Sequence, residues 1–201
     1  MSAFASEARI VLGQVKTDEK SNEITAIPEL LDLLNVKGGI VSIHAMGAQK
    51  EIAAKIIEKG GDYILALKGN QSSLHDDIKL FFDDEMLVKR LQSHEHTSGG
   101  HGRIEIRTCT VTDAIGWLKE NHDWSGPRTI VQIKSEVEIK GKRPWKPAIT
   151  LPLCHRTQRK CWLQSAVTGQ SKTLSTGYSI CHSAMTSPES AKETLQKISP
   201  S

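Results

Sequence analysis

Long apolar runs are missing from this sequence. No stretch approaches the ~20 apolar residues that a membrane span requires, and the first residues are not a signal peptide, so no membrane partner is expected. Cysteine is scarce: four are scattered without tight pairing, which excludes a secreted disulfide framework and points to a reducing cytoplasm. A surplus of one charge is missing too. The 26 basic and 23 acidic side chains leave +3, too little to mark a nucleic-acid footprint by itself. Internal repeats are absent. What is present is 201 residues, enough for one domain with a core or for a domain plus an appendage.

The charge is unevenly spread. Residues 1–143 hold 19 basic and 21 acidic side chains, a net of −2, whereas residues 144–201 hold 7 and 2, a net of +5. The last 58 residues also carry 16 Ser and Thr and three of the four cysteines. So abrupt a change marks two segments under different rules.

In the first segment, Arg9 to Lys16 reads as a strand. Pro28 fits the first position of a helix, where its missing N–H costs little, and Leu30, Leu31, Leu33 and Leu34 supply the apolar face before Gly38-Gly39. The β-branched run from Gly39 to His44 has the pattern of a strand buried on both faces. A helix over Gln49–Lys59, closed by Gly60-Gly61, leads to a third apolar strand from Tyr63 to Leu67. Ser72 or Ser73 can cap the next helix, with Leu74, Ile78, Phe81 and Phe82 on one face. This alternation predicts an α/β fold with a parallel sheet covered by helices. The polar, glycine-bearing stretch 92–102 reads as a loop and Ile104–Val111 as a strand. Val131, Ile133, Val137 and Ile139 alternate with polar residues, as in a half-exposed strand.

Ligands of open α/β sheets gather outside the carboxyl ends of the strands. Lys16–Asp18, His44 and Lys68–Asn70 stand at such ends. A histidine closing a buried strand is structural unless partners give it a role. Lys68, Asn70 and Gln71 suit a phosphate, and a solvated loop explains them equally well. His101, Arg103, Glu105 and Arg107 share one face of a strand. They fit either a contact to the DNA backbone or a surface ion pair worth ~0–1 kcal/mol, and the residues alone favour the ion pair. In the tail, Cys154-His155, Cys161 and Cys181-His182 carry zinc-type donors, but the gap from Cys154 to Cys161 exceeds the usual two to four residues. No metal site is expected there.

The strings LGQVKTDEKSNEITAIPELLDLL, KEIAAKIIEKGGDYILALKGNQ and HGRIEIR make the run from Ser2 to about Arg143 closely resemble the H-repeat-associated insertion-sequence transposases. The resemblance implies a DDE enzyme on an RNase H-like fold, in which three carboxylates hold two Mg²⁺ ions for DNA strand cleavage and joining. It places the family's first Asp upstream of the first strand of this chain, an omission expected to leave an unpaired sheet edge. The second Asp falls on His44, and imidazole is a poor ligand for a cation that prefers hard oxygen donors.

The third carboxylate bears on the tail. Family members continue with VETRYYISSLP. Plausible codons for VETRYY, read one nucleotide late, encode Trp145-Lys146-Pro147-Ala148-Ile149-Thr150. The catalytic segment RSHWAIEN, read in the same shifted frame, yields Ala166-Val167-Thr168-Gly169-Gln170-Ser171-Lys172-Thr173, and its glutamate is dispersed over the codons for Ser171 and Lys172.

The expectation is therefore an incomplete RNase H-like domain over residues 1–143, a mixed sheet with flanking helices. A frameshifted and largely disordered tail follows over 144–201. No catalytic residue is intact, no cofactor is retained, and DNA binding is weak or non-specific. Lys68, Asn70, Arg103 and Arg107 are the candidate phosphate contacts.

Overall fold

The computed structural model describes residues 1–5, 9–16, 23–100, 103–139, 148–155 and 178–181. The chain divides into two compact units: residues 1–65, 124–126 and 174–201, and residues 66–123 and 127–173.

The first unit begins with β1 (Ser2–Ala5), antiparallel to β2 (Ile10–Gln14). The Met1 amino group donates to the Val15 carbonyl at 2.8 Å, and Val15 N–H returns a bond to Met1 at 2.9 Å, fastening the open end of this hairpin. Helix α1 spans Glu23–Leu33, so Pro28 lies inside it rather than at its first position. Ile27 explains the difference. With Leu30, Leu31 and Leu34 it completes the i, i+3, i+4, i+7 stripe, all four being buried, and covering that face outweighs the hydrogen bond Pro28 cannot make.

Strand β3 (Ile40–Ile43) runs parallel to β4 (Asp62–Leu67), joined by α2 (Lys50–Glu58). Helix α2 buries Ile52, Ala53 and Ile56 and ends at Gly60, whose φ of 74° is left-handed. Gly60 N–H bonds to Ile57 and Gly61 N–H to Ile56, the paired closure of a Schellman stop. A Cβ on Gly61 would lie 3.0 Å from the Val36 carbonyl, so the close approach itself requires glycine. Strand β9 (Tyr178–Cys181) lies between β1 and β3, parallel to the first and antiparallel to the second.

In the second unit, a tight turn at Gly69–Gln71 leads into α3 (Ser72–Asp83). Gln71, not a serine, holds the cap position, and both serines lie within the helix. Leu74, Ile78 and Phe82 are buried, while Phe81 stacks on Trp117 at 5.7 Å. Asp84 caps α4 (Glu85–Val88), its carboxylate accepting from Met86 and Leu87 N–H.

An antiparallel meander follows: β5 (Gln92–Gly100), β6 (Arg103–Thr112), β7 (Thr129–Ile139) and β8 (Ala148–Cys154), in the order β8-β7-β6-β5. Helix α5 (Gly116–Asn121) sits between β6 and β7 in sequence. The stretch read as a loop is thus a strand along residues 92–100. Residues 92–99 are exposed, so no buried face writes an apolar period into the strand, and pairing with β6 alone holds it extended. Strand β7 is also not uniformly half-exposed. Thr129–Gln132 are buried, whereas residues 133–138 are intermediate on both faces.

The architecture is a mixed sheet with flanking helices, as the resemblance implies. The expectation of a largely disordered tail falls mostly on residues outside the described ones. Within it, Ile149, Leu151 and Leu153 alternate in β8, and Leu151 and Leu153 are buried. Cys154, at the end of β8, is buried and disulfide-bonded.

Candidate functional site

His44 closes β3 and faces solvent. Its carbonyl accepts from Gly47 N–H at 3.0 Å in the short turn Ala45–Gly47, so the backbone of this strand end is fixed while the imidazole stays exposed. Two divalent metals would need oxygen donors gathered here. Among the described residues no group of three or more His, Cys, Asp or Glu could hold a metal, and the imidazole of His44 is the wrong donor for Mg²⁺. The described residues at this strand end therefore do not supply the oxygen donors that the family's metals take.

Lys16, at the end of β2, is exposed; Thr17 and Asp18 lie outside the described residues. In the second unit Lys68 is exposed and precedes the Gly69–Gln71 turn, its carbonyl accepting from Gln71 N–H at 3.0 Å. Asn70 occupies the middle of that turn.

On β6 the alternation of Arg103, Glu105 and Arg107 produces the ion pair that its spacing allows. Glu105 is 9% exposed; its Oε1 accepts from Arg107 Nε at 2.9 Å and lies 2.8 Å from a second Arg107 nitrogen. Ser135 Oγ, on β7, donates to the same oxygen at 2.8 Å. Arg103 reaches the other oxygen only at 3.6 Å and keeps about half its side chain exposed. The two arginines therefore differ: Arg107 is committed to Glu105, and Arg103 is the more available cation. Ser135 was not legible in advance, because only the β6–β7 register, which sets it opposite Arg107, brings it to the carboxylate.

The sequence reading missed a second polar pair as well. His122 Nε2 lies 2.7 Å from Asp77 Oδ2, linking the end of α5 to α3. Burial pushes the Cys109 thiol up to about 12, which leaves it unreactive. Of the tail donors, His155 is described, but Cys161 and His182 are not.

Comparison with known proteins decides the family. The description "Transposase DDE domain" matches residues 1–172, running past the change of charge near residue 143. The chain belongs to the DDE transposases. It is 41% identical over 159 residues to the "H repeat-associated putative transposase YhhI" of Escherichia coli K12, covering 75% of this chain and 40% of that protein. A similarly named protein of that strain, YbfD, is 48% identical over 123 residues, 57% of this chain and 47% of the relative. The "Uncharacterized protein in dhlA 3'region" of Xanthobacter autotrophicus is 45% identical over 142 residues, 71% of this chain and 48% of the relative. This chain of the family thus spans half or less of the length of these relatives. No solved structure matches. No helix among the described residues is long and apolar enough to cross a membrane.

Proposed function

We propose that this chain is a degenerate DDE transposase of an H-repeat-associated element, without strand-cleavage or strand-transfer activity. One observation carries the reading: His44 stands exposed at the end of β3, at the position where the resemblance places the second carboxylate. A nitrogen donor there removes a charge that two divalent metals require. The shifted frame of the tail, with its dispersed glutamate at Ser171 and Lys172, is the second part of the proposal. A frame change near the Pro144 codon and a family match through residue 172 pull in opposite directions over residues 144–172. The nucleotide sequence there resolves them, since restoring one frame must yield the missing glutamate segment.

The deciding assay offers the purified chain DNA carrying the insertion ends, with Mg²⁺ or Mn²⁺. No cleavage is expected, and none is expected from His44→Asp alone. Metal-dependent nicking by either protein overturns the reading.

A second reading keeps DNA binding without catalysis, through Lys68, Asn70, Arg103 and Arg107 and the basic tail. The exposure of Lys68 and the looser ion pair of Arg103 favour it; the commitment of Arg107 to Glu105 weakens it. Preference for insertion-end DNA that survives moderate salt supports this reading, whereas equal and salt-labile binding leaves generic charge alone. A cytoplasmic location belongs to both readings.

A further inference from the structure

The polar strand β5 carries two histidines that neither the DDE chemistry nor the phosphate contacts use. His94 and His96 are both exposed, and at i and i+2 of an extended strand they project from the same face. A rise of ~3.4 Å per residue sets their Cα atoms about 7 Å apart. Over that span two imidazoles can converge on one ion at the usual ~2.0–2.1 Å. Continuous pairing with β6, from Gln92↔Val111 to Gly100↔Arg103, fixes the spacing, so little has to be ordered when a ligand arrives.

The neighbours across the register decide what this pair can bind. Cys109 stands opposite His94 and is buried. Arg107 stands opposite His96, and Glu105 holds its guanidinium at 2.8 and 2.9 Å, which offsets the positive charge that would otherwise repel a cation. Two imidazoles are too few donors for a closed protein site, and no three-donor group occurs among the described residues, so water completes the coordination. Imidazole suits zinc, nickel and copper and serves Mg²⁺ poorly.

We propose that His94 and His96 form a two-imidazole site for a divalent ion of the zinc class. The bound ion braces β5, which pairs only with β6 among the described residues, by tying two of its side chains into one extended geometry. The site draws on no lost carboxylate, so it does not depend on the inactivity proposed above.

The test titrates the full-length chain with ZnCl₂ by calorimetry, in a non-chelating buffer with excess Mg²⁺, and follows the imidazole nitrogens by long-range ¹H–¹⁵N spectra. Zn²⁺ is expected to bind with shifts centred on His94 and His96. His94→Gln or His96→Gln is expected to weaken binding about tenfold or more, and His44→Gln to leave it unchanged. Both positions on β5 are exposed, so the metal-free Tm of these variants should match the wild type. The decisive arm combines His96→Gln with Thr97→His, which keeps two histidines but sets them on opposite faces of the strand. That chain is expected to bind as weakly as His96→Gln alone. Overturning results are no Zn²⁺ binding, displacement of Zn²⁺ by Mg²⁺, full affinity in either single variant of β5, or full affinity in the chain with the displaced histidine.

Discussion

The two units bury their strands by different means. In the first, β3 and β4 run parallel, and Ile40, Val41, Tyr63 and Leu65 are essentially sealed from solvent. In the second, the antiparallel meander is buried at one end only. Val111, Ile130 and Val131 are inaccessible, but Ile104 and Ile139, at the other end of the same strands, are 42% and 52% exposed. A crossover helix covers a parallel strand as a condition of its connection, whereas hairpin-linked strands can run on into water held by their backbone pairs alone. Stability should therefore concentrate in the first unit and polar interactions should matter most in the exposed part of the second.

The sharpest test of that contrast compares aliphatic truncations. Ile56→Ala in α2, at 0% exposure, should cost ~2–5 kcal/mol in denaturant unfolding, and Ile104→Ala in β6 less than ~1 kcal/mol. Equal losses would abolish the distinction. Next in size is Gly61→Ala, which places a Cβ 3.0 Å from the Val36 carbonyl and should cost ~1–3 kcal/mol. In the meander, Glu105→Gln leaves the nearly covered Arg107 without its carboxylate and should cost ~1–3 kcal/mol, read as a lower Tm. A loss no larger than that of Ile104→Ala would show the network to be ornamental.

The smallest effect expected is at the exposed Lys55–Asp32 pair, 2.6 Å apart in the first unit. The Lys55 hydrogen bond holds the Asp32 carboxyl below its ordinary range. Its contribution is present above the unfolded-state value and lost as pH falls through the lower folded-state value. Below about pH 4 the wild type should therefore lose a small advantage over Lys55→Met, and added salt should erase that advantage at neutral pH. Persistence in high salt would mean that the pair is better shielded than its exposure implies.

The parts of the fold that were legible in the sequence are those with local signatures. The stripe of Ile52, Ala53 and Ile56, the Gly60-Gly61 stop and the β-branched run before His44 each state their structure within a few residues. Pro28 misled because its preference for a first turn is weaker than the burial of Ile27. Strand β5 was missed because an exposed edge strand needs no apolar alternation. Of the candidate site, His44 and the Arg103–Glu105–Arg107 alternation could be read directly, while Ser135 could not.

The sequence by itself determined the family and the helix-covered strands of the first unit. Those properties depend on residue identity and short-range period. The tertiary structure alone decided that Ser135 meets Glu105, that Arg107 is committed while Arg103 is freer, and that β9 joins β1 to β3. Each of these depends on register between strands distant in sequence, and backbone hydrogen bonds, being the same for nearly every residue, leave no local mark of which strand they will join.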